Sequence, residues 1–205
     1  MKKSFLKIIG ATLLICTPIF AQSQINTKGS VIIDAYYGFP NFGKSFLAAI
    51  ESNSAGVTTT AIGPCGARAE YMVADKFGIG ADFIYNSMSG SFQVDSLNAD
   101  NSVYKSYDAK LAMQRYRFQL RMNYHFVRED KMDAYVGFGA GTNTRKYIYK
   151  SDMPNSDGFS QSGSLLPFSM RIAIGMRYYF TNNIGLNTEI GLGGPLVSAG
   201  LSIRF

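Results

Sequence analysis

Tryptophan is absent from the 205 residues, histidine occurs once, at His125, and cysteine occurs twice, at Cys16 and Cys65. Beyond residue 21 no stretch stays apolar for the roughly 18 residues that a membrane-spanning helix needs. The amino-terminal residues carry their own signature. Met1-Lys2-Lys3 and Lys7 give a basic start, Ile8 to Phe20 is an apolar run, and Ala21 precedes Gln22-Ser23-Gln24. This pattern predicts a secretory signal peptide over residues 1–21, with residues 22–205 as one domain beyond the inner membrane. A lipoprotein signal acylated at Cys16 is the rival, but Ile15 stands where a small residue is wanted. Cleavage at Ala21 removes Lys2, Lys3 and Lys7, so the formal net charge falls from +6 to +3. A balance that close to neutral gives no charge argument for nucleic acid. Cleavage also leaves Cys65 alone, which excludes an internal disulfide and a cysteine metal cluster.

What is abundant suits strands: 13 Tyr, 15 Phe and 21 Gly. Apolar residues recur at every second position, the period of a strand with one apolar face. The clearest run is Tyr116, Phe118, Leu120, Met122, Tyr124 and Phe126, which alternates with Arg115, Arg117, Gln119, Arg121, Asn123 and His125. The same period marks strands near 31–38, 63–73, 77–86, 134–141, 166–180, 184–192 and 197–205. Eight strands follow, joined consecutively. Long polar connections are expected at 39–62, 87–110 and 147–164. Tight turns are expected near Ala74-Asp75-Lys76, Val127 to Met132 and Thr181-Asn182-Asn183.

Alternation alone does not say which face is inside, since a soluble barrel would turn its apolar face inward. Three features favour a transmembrane barrel with its polar face inward. Tyr71, Phe77, Tyr124, Phe126, Tyr178, Phe180 and Phe205 cluster near the short-turn ends, as an interfacial belt would. Several runs reach the roughly 9–11 residues a tilted strand needs to cross a bilayer. The polar faces carry Arg, while Lys is expected only in loops and turns; an arginine fork suits an enclosed ionic network.

Such a network would comprise Asp34, Arg68, Glu70, Asp82, Arg115, Arg117, Arg121, Arg171, Arg177, Glu189 and Arg204. In an eight-stranded barrel, which side chains just fill, these groups would plug the lumen. Their surplus of arginine would hold water or an anion. Gly137, Gly139 and Gly141 leave room for large neighbours.

The final stretch adds Val197, Ala199, Leu201, Ile203 and Phe205 on one face, with an aromatic last residue. With this alternation and asymmetry of connections, the chain resembles the small eight-stranded outer-membrane barrels of the OmpX/OmpA transmembrane type, over roughly Ser30 to Phe205. The resemblance implies an all-β, eight-stranded antiparallel up-and-down transmembrane barrel in the bacterial outer membrane. It also implies outer-membrane lipids as surroundings, and recognition of the terminal strand by the barrel-assembly machinery. Ending at Phe205, the chain is expected to carry no periplasmic domain.

Candidate chemistry is sparse. His125 sits at the short-turn end of its strand without a neighbouring nucleophile, so a hydrogen bond at the lumen edge is the expectation. Glu70 and Asp82 are expected to pair with lumen arginines. Gly137-Phe138-Gly139-Ala140-Gly141 has no following helix, so it is not a phosphate-binding loop. Period two puts Arg115, Arg117 and Arg121 on an enclosed face rather than in a nucleic-acid patch. No catalytic, cofactor or metal set is assigned. The expectation is a non-enzymatic structural, adhesion or interaction module acting through loops 39–62, 87–110 and 147–164, with a barrel enzyme or a small-solute channel as alternatives. Phe42, Phe46, Leu47 and Ile50 would form a short amphipathic helix or lie on the outer leaflet. Tyr147, Tyr149 and Phe159 would pack together.

Overall fold

The computed structural model describes residues 26–41, 56–97, 103–154, 156–164 and 166–205. The expected signal peptide, its expected cleavage site and the stretch Phe42 to Ile50, expected as a short helix or lying on the outer leaflet, fall outside these residues. Among the described residues nine strands form in chain order: β1 (Val31–Phe39), β2 (Thr58–Ala74), β3 (Phe77–Leu97), β4 (Val103–Arg128), β5 (Met132–Ser151), β6 (Phe159–Ser162), β7 (Phe168–Tyr179), β8 (Ile184–Leu192) and β9 (Val197–Arg204). Each pairs antiparallel with its neighbours in the order β4-β3-β2-β1-β9-β8-β7-β5, and β4 pairing with β5 closes the ring. This is an eight-stranded up-and-down barrel without a free edge. β6 stands outside the ring, paired only with the far end of β5.

Alternating side chains give the barrel two opposite surfaces. Along β1 and β7 every second residue is buried and every other one exposed. The exposed set is apolar: Leu120, Ile174 and Ile190 are more than 60% exposed. The buried set is charged or polar: Arg68, Asp82, His125 and Arg177 are at most 2% exposed. Water does not tolerate so large an apolar exterior, whereas hydrocarbon does, and a closed ring leaves no unpaired backbone edge facing it. The expected belt, Tyr71, Phe77, Tyr124, Phe126, Tyr178, Phe180 and Phe205, lies on this outer surface.

The expected long polar connections need correction. β3, β4 and β5 run 21, 26 and 20 residues, about twice what crosses a bilayer. Residues 87–97 and 103–110 continue the β3–β4 ladder, residues 58–62 belong to β2, and residues 147–151 and 159–162 are also strand. Period-two hydrophobicity fades there because both faces leave the membrane, yet backbone pairing continues. Lysine is accordingly not confined to loops: Lys105 and Lys110 lie in β4, and Lys146 and Lys150 in β5. Tyr149 and Phe159 stack across the β5–β6 pair with ring centroids 5.6 Å apart.

Candidate functional site

The lumen is organised by register. Asp34 on β1 stands opposite Arg68 on β2, and Arg68 opposite Asp82 on β3, which places an arginine between two carboxylates on adjacent strands. Arg68 lies 3.3 Å from Asp34 and 3.5 Å from Asp82. Across the barrel, Arg121 and Arg171 both stand opposite Gly139. The absent side chain there lets both arginines extend to one acceptor, Glu189. Arg171 donates to Glu189 Oε1 at 2.6 and 2.8 Å, and Arg121 to both Glu189 oxygens at 3.1 and 2.9 Å. Arg121 also donates to Asp82 at 3.1 Å. Arg68 reaches Glu189 at 3.0 Å, so one carboxylate serves three guanidinium groups.

Towards the short-turn end a second centre forms on Arg177. Its three nitrogens donate to Asp34 (3.2 and 2.9 Å), Glu70 (2.7 Å) and Asp133 (3.1 Å). His125 bridges two of the same acids, with Nδ1 2.7 Å from Asp133 and Nε2 2.8 Å from Glu70. Both contacts face carboxylate oxygens, so the ring satisfies both only by donating from both nitrogens, as the imidazolium does. In that form the inner network balances: Arg68, Arg121, Arg171, Arg177 and His125 face Asp34, Glu70, Asp82, Asp133 and Glu189. Neither ring nitrogen is left for a serine or threonine, so the pairing a nucleophile would need is not assembled.

Tyrosines and small residues complete the packing. Tyr135 donates to Glu189 at 3.0 Å, accepts from Arg68 at 2.9 Å, and lies under the Arg177 guanidinium, 4.5 Å from its ring centroid. Tyr36 donates to Asp82 at 2.5 Å and lies beneath Arg68. Ser202 donates to Asp34 at 2.7 Å. Gly175 faces the Tyr135 ring and Gly137 faces Arg121 and Asn123 so closely that a Cβ on either would collide. Among the described residues no cluster of His, Cys, Asp or Glu could hold a metal ion.

Of the eleven residues expected in the network, Asp34, Arg68, Glu70, Asp82, Arg121, Arg171, Arg177 and Glu189 meet here. Among the described residues Arg115 and Arg117 form no ion pair with these eight, and Arg204 is bonded at the barrel's rim. Arg204 sits at the short-turn rim, donating to the Asn182 carbonyl at 3.0 Å and lying over Tyr179. Arg115 and Arg117 stand near the opposite rim. Arg115 donates to Asn143 at 2.7 Å and Arg117 to the Gly193 carbonyl at 2.6 Å. Sequence reasoning missed Asp133, Tyr36 and Tyr135 as members. Asp133 shares the parity of Tyr135 and Gly137 and was hidden only by starting β5 two residues late.

A family model, the outer membrane protein beta-barrel domain, matches residues 9–194. Among solved structures, OprG of Pseudomonas aeruginosa is 15% identical, with TM-score 0.45, over 88% of this chain and 97% of that one. The N-terminal beta-barrel domain of Pseudomonas aeruginosa OprF is 15% identical, with TM-score 0.42, over 88% of this chain and 100% of that one. Ail, the attachment invasion locus protein of Yersinia pestis, is 11% identical, with TM-score 0.39, over 87% of this chain and 100% of that one. A search of curated proteins finds no match.

Proposed function

Because the chain belongs to the outer membrane protein beta-barrel domain family, we propose that it acts as a non-conducting outer-membrane module whose contacts are made by the strand pairs projecting beyond the membrane. The observation that carries this reading is the filled lumen. Arg68, Arg121, Arg171 and Arg177 bridge five carboxylates across the full width of the barrel, all nearly inaccessible to solvent. An ion entering this section would have to displace paired charges, and each broken pair leaves a buried charge uncompensated. The engagement of His125 by two carboxylates supports a non-enzymatic role. The continuous β3–β4 and β4–β5 ladders give the outer part a rigid presenting surface, unlike a set of separate flexible loops.

Two measurements test this. Barrels reconstituted in planar bilayers are expected to give no sustained openings, and stable conductance steps would overturn the blocked lumen in favour of a channel. A Ser106→Cys variant in a Cys65→Ser background is expected to react with a membrane-impermeant maleimide on intact cells. Protection of that cysteine in intact cells, with labelling only after lysis, would place the long hairpins on the wrong side.

A further inference from the structure

We infer that the outer mouth of the lumen is a binding site for a tetrahedral oxyanion of the phosphate type, held by Arg115 and Arg117 and favoured by the charge of Arg145 beside them. The three arise from register. Arg115 and Arg117 occupy successive inward positions of β4, and Arg145 on β5 stands directly opposite Arg115. Like charges placed opposite each other on adjacent strands are unfavourable unless something between them is negative. Among the described residues none of the three forms an ion pair with a carboxylate, whereas Arg68, Arg121, Arg171 and Arg177 all do. The nearest acid of the inner network, Asp82, is already taken up by Tyr36, Arg68 and Arg121.

A cavity of about 130 Å³ opens beside Arg115 and Arg117, with Pro64, Asn86, Met113 and Gly194 also in its lining; Arg145 is not part of that lining. Arg117 is 5% exposed, and its Nε is buried without a hydrogen-bond partner among the described residues; the Nε of Arg145 is likewise buried and unpartnered. Arg117 and Arg115 are each positioned by one bond, to the Gly193 carbonyl and to Asn143. That fixes each guanidinium while leaving other N–H groups to donate. Asn86 adds an amide whose oxygen is unpaired, and the opposite amide orientation would present its NH2 to the cavity. A buried unpartnered guanidinium nitrogen is costly, and an oxyanion accepting from Arg117 removes that cost. The arrangement recognises the shared chemistry of a free phosphate or a phosphomonoester headgroup reaching over the rim.

Calorimetric titration of the maltoside-solubilised barrel with inorganic phosphate tests the site. Saturable binding is expected, weakened by added chloride. Arg117→Gln and Arg115→Gln should each weaken it by about tenfold or more, from loss of a charge-assisted hydrogen bond. Lys131→Gln, on an exposed turn at the opposite end, should leave it unchanged. Each variant is checked for the heat-dependent gel shift of a folded barrel, and the half-buried Arg115 keeps the test open should Arg117→Gln fail to fold. Repeating the titration in phosphatidylcholine nanodiscs with and without phosphatidic acid separates the sources. Loss of phosphate binding only when phosphatidic acid is present supports the site with a lipid headgroup as occupant. Retention supports it with a free solute. Absence of saturable phosphate binding in micelles and in both discs, or binding indifferent to both arginine substitutions, overturns the site.

Discussion

The two ends of the lumen are built from the same residue type and differ in what faces it. From His125 to Asp82 every arginine has a carboxylate, and most carboxylates have two cationic partners. Around Arg115, Arg117 and Arg145 there are three guanidinium groups and, among the described residues, no paired acid. The inner section is therefore a closed account of charge, in which each group fixes the position of the next. The outer section is held by neutral acceptors, Asn143 and a backbone carbonyl, which orient a guanidinium without neutralising it. Arginine content alone does not distinguish structure from binding; the difference lies in which arginines the barrel itself supplies with a counter-charge.

If that contrast is real, the two sections respond unequally to the same kind of mutation. The largest effect is expected at Arg177, which is fully buried and spans Asp34, Glu70 and Asp133. Arg177→Met keeps most of the volume and takes one of two cationic partners from each of three buried carboxylates, at a cost of about 3–5 kcal/mol. Urea titration of the barrel in lipid vesicles, read by the folded and unfolded gel mobilities, measures it. A loss below about 1 kcal/mol would mean that the inner network tolerates vacancy as the mouth does, and the contrast would fail.

Gly175→Val tests the packing that holds the network. A side chain there meets the Tyr135 ring, over which the Arg177 guanidinium also lies. Overpacking of this kind costs about 1–3 kcal/mol, read by the same titration. His125→Gln asks how much of the inner section depends on a cation between Glu70 and Asp133. The amide offers a donor to one acid only, and about 1–3 kcal/mol is expected for the acceptor left behind. An unchanged midpoint would show that water or a proton replaces the ring without loss.

How far this was legible in the sequence depends on which interaction set each feature. Alternation exposed the ring of eight and its polar interior, because period two is imposed residue by residue along a strand. Arg68 and Asp82 were legible for the same reason. The length of β3, β4 and β5 was not, since beyond the membrane neither face must be apolar, and Ser, Thr and Lys there read as loop although backbone pairing persists. Parity put Arg115, Arg117 and Arg204 on the inner face correctly but said nothing of height along the barrel axis. Height is what separates Arg121, which reaches Glu189 across the lumen, from Arg115, bonded among the described residues to Asn143. Cross-strand register fixes that height, and register is set by pairing across the sheet rather than by any single strand. His125 was read as an edge hydrogen bonder. Its two acids come from β2 and β5, and Asp133 fell between the expected turn, Val127 to Met132, and the strand expected from 134.

The smallest effect is the most discriminating. Arg115→Gln removes a cation as surely as Arg177→Met does, but the group it leaves behind is Asn143, a buried neutral amide whose NH2 keeps Ser164 and the Leu166 carbonyl as partners. It also removes the charge that stands opposite Arg145, a like-charge pair that is unfavourable in its own right. The lost hydrogen bond and the relieved repulsion oppose each other, so in phosphate-free buffer the midpoint should move by no more than about 0.5 kcal/mol in either direction. Adding phosphate should stabilise the wild-type barrel and shift the variant less, because a ligand raises stability only through the state that binds it. A destabilisation comparable with that of Arg177→Met, present in the absence of any anion, would mean that Arg115 belongs to the structural network after all and that the lumen is one section rather than two.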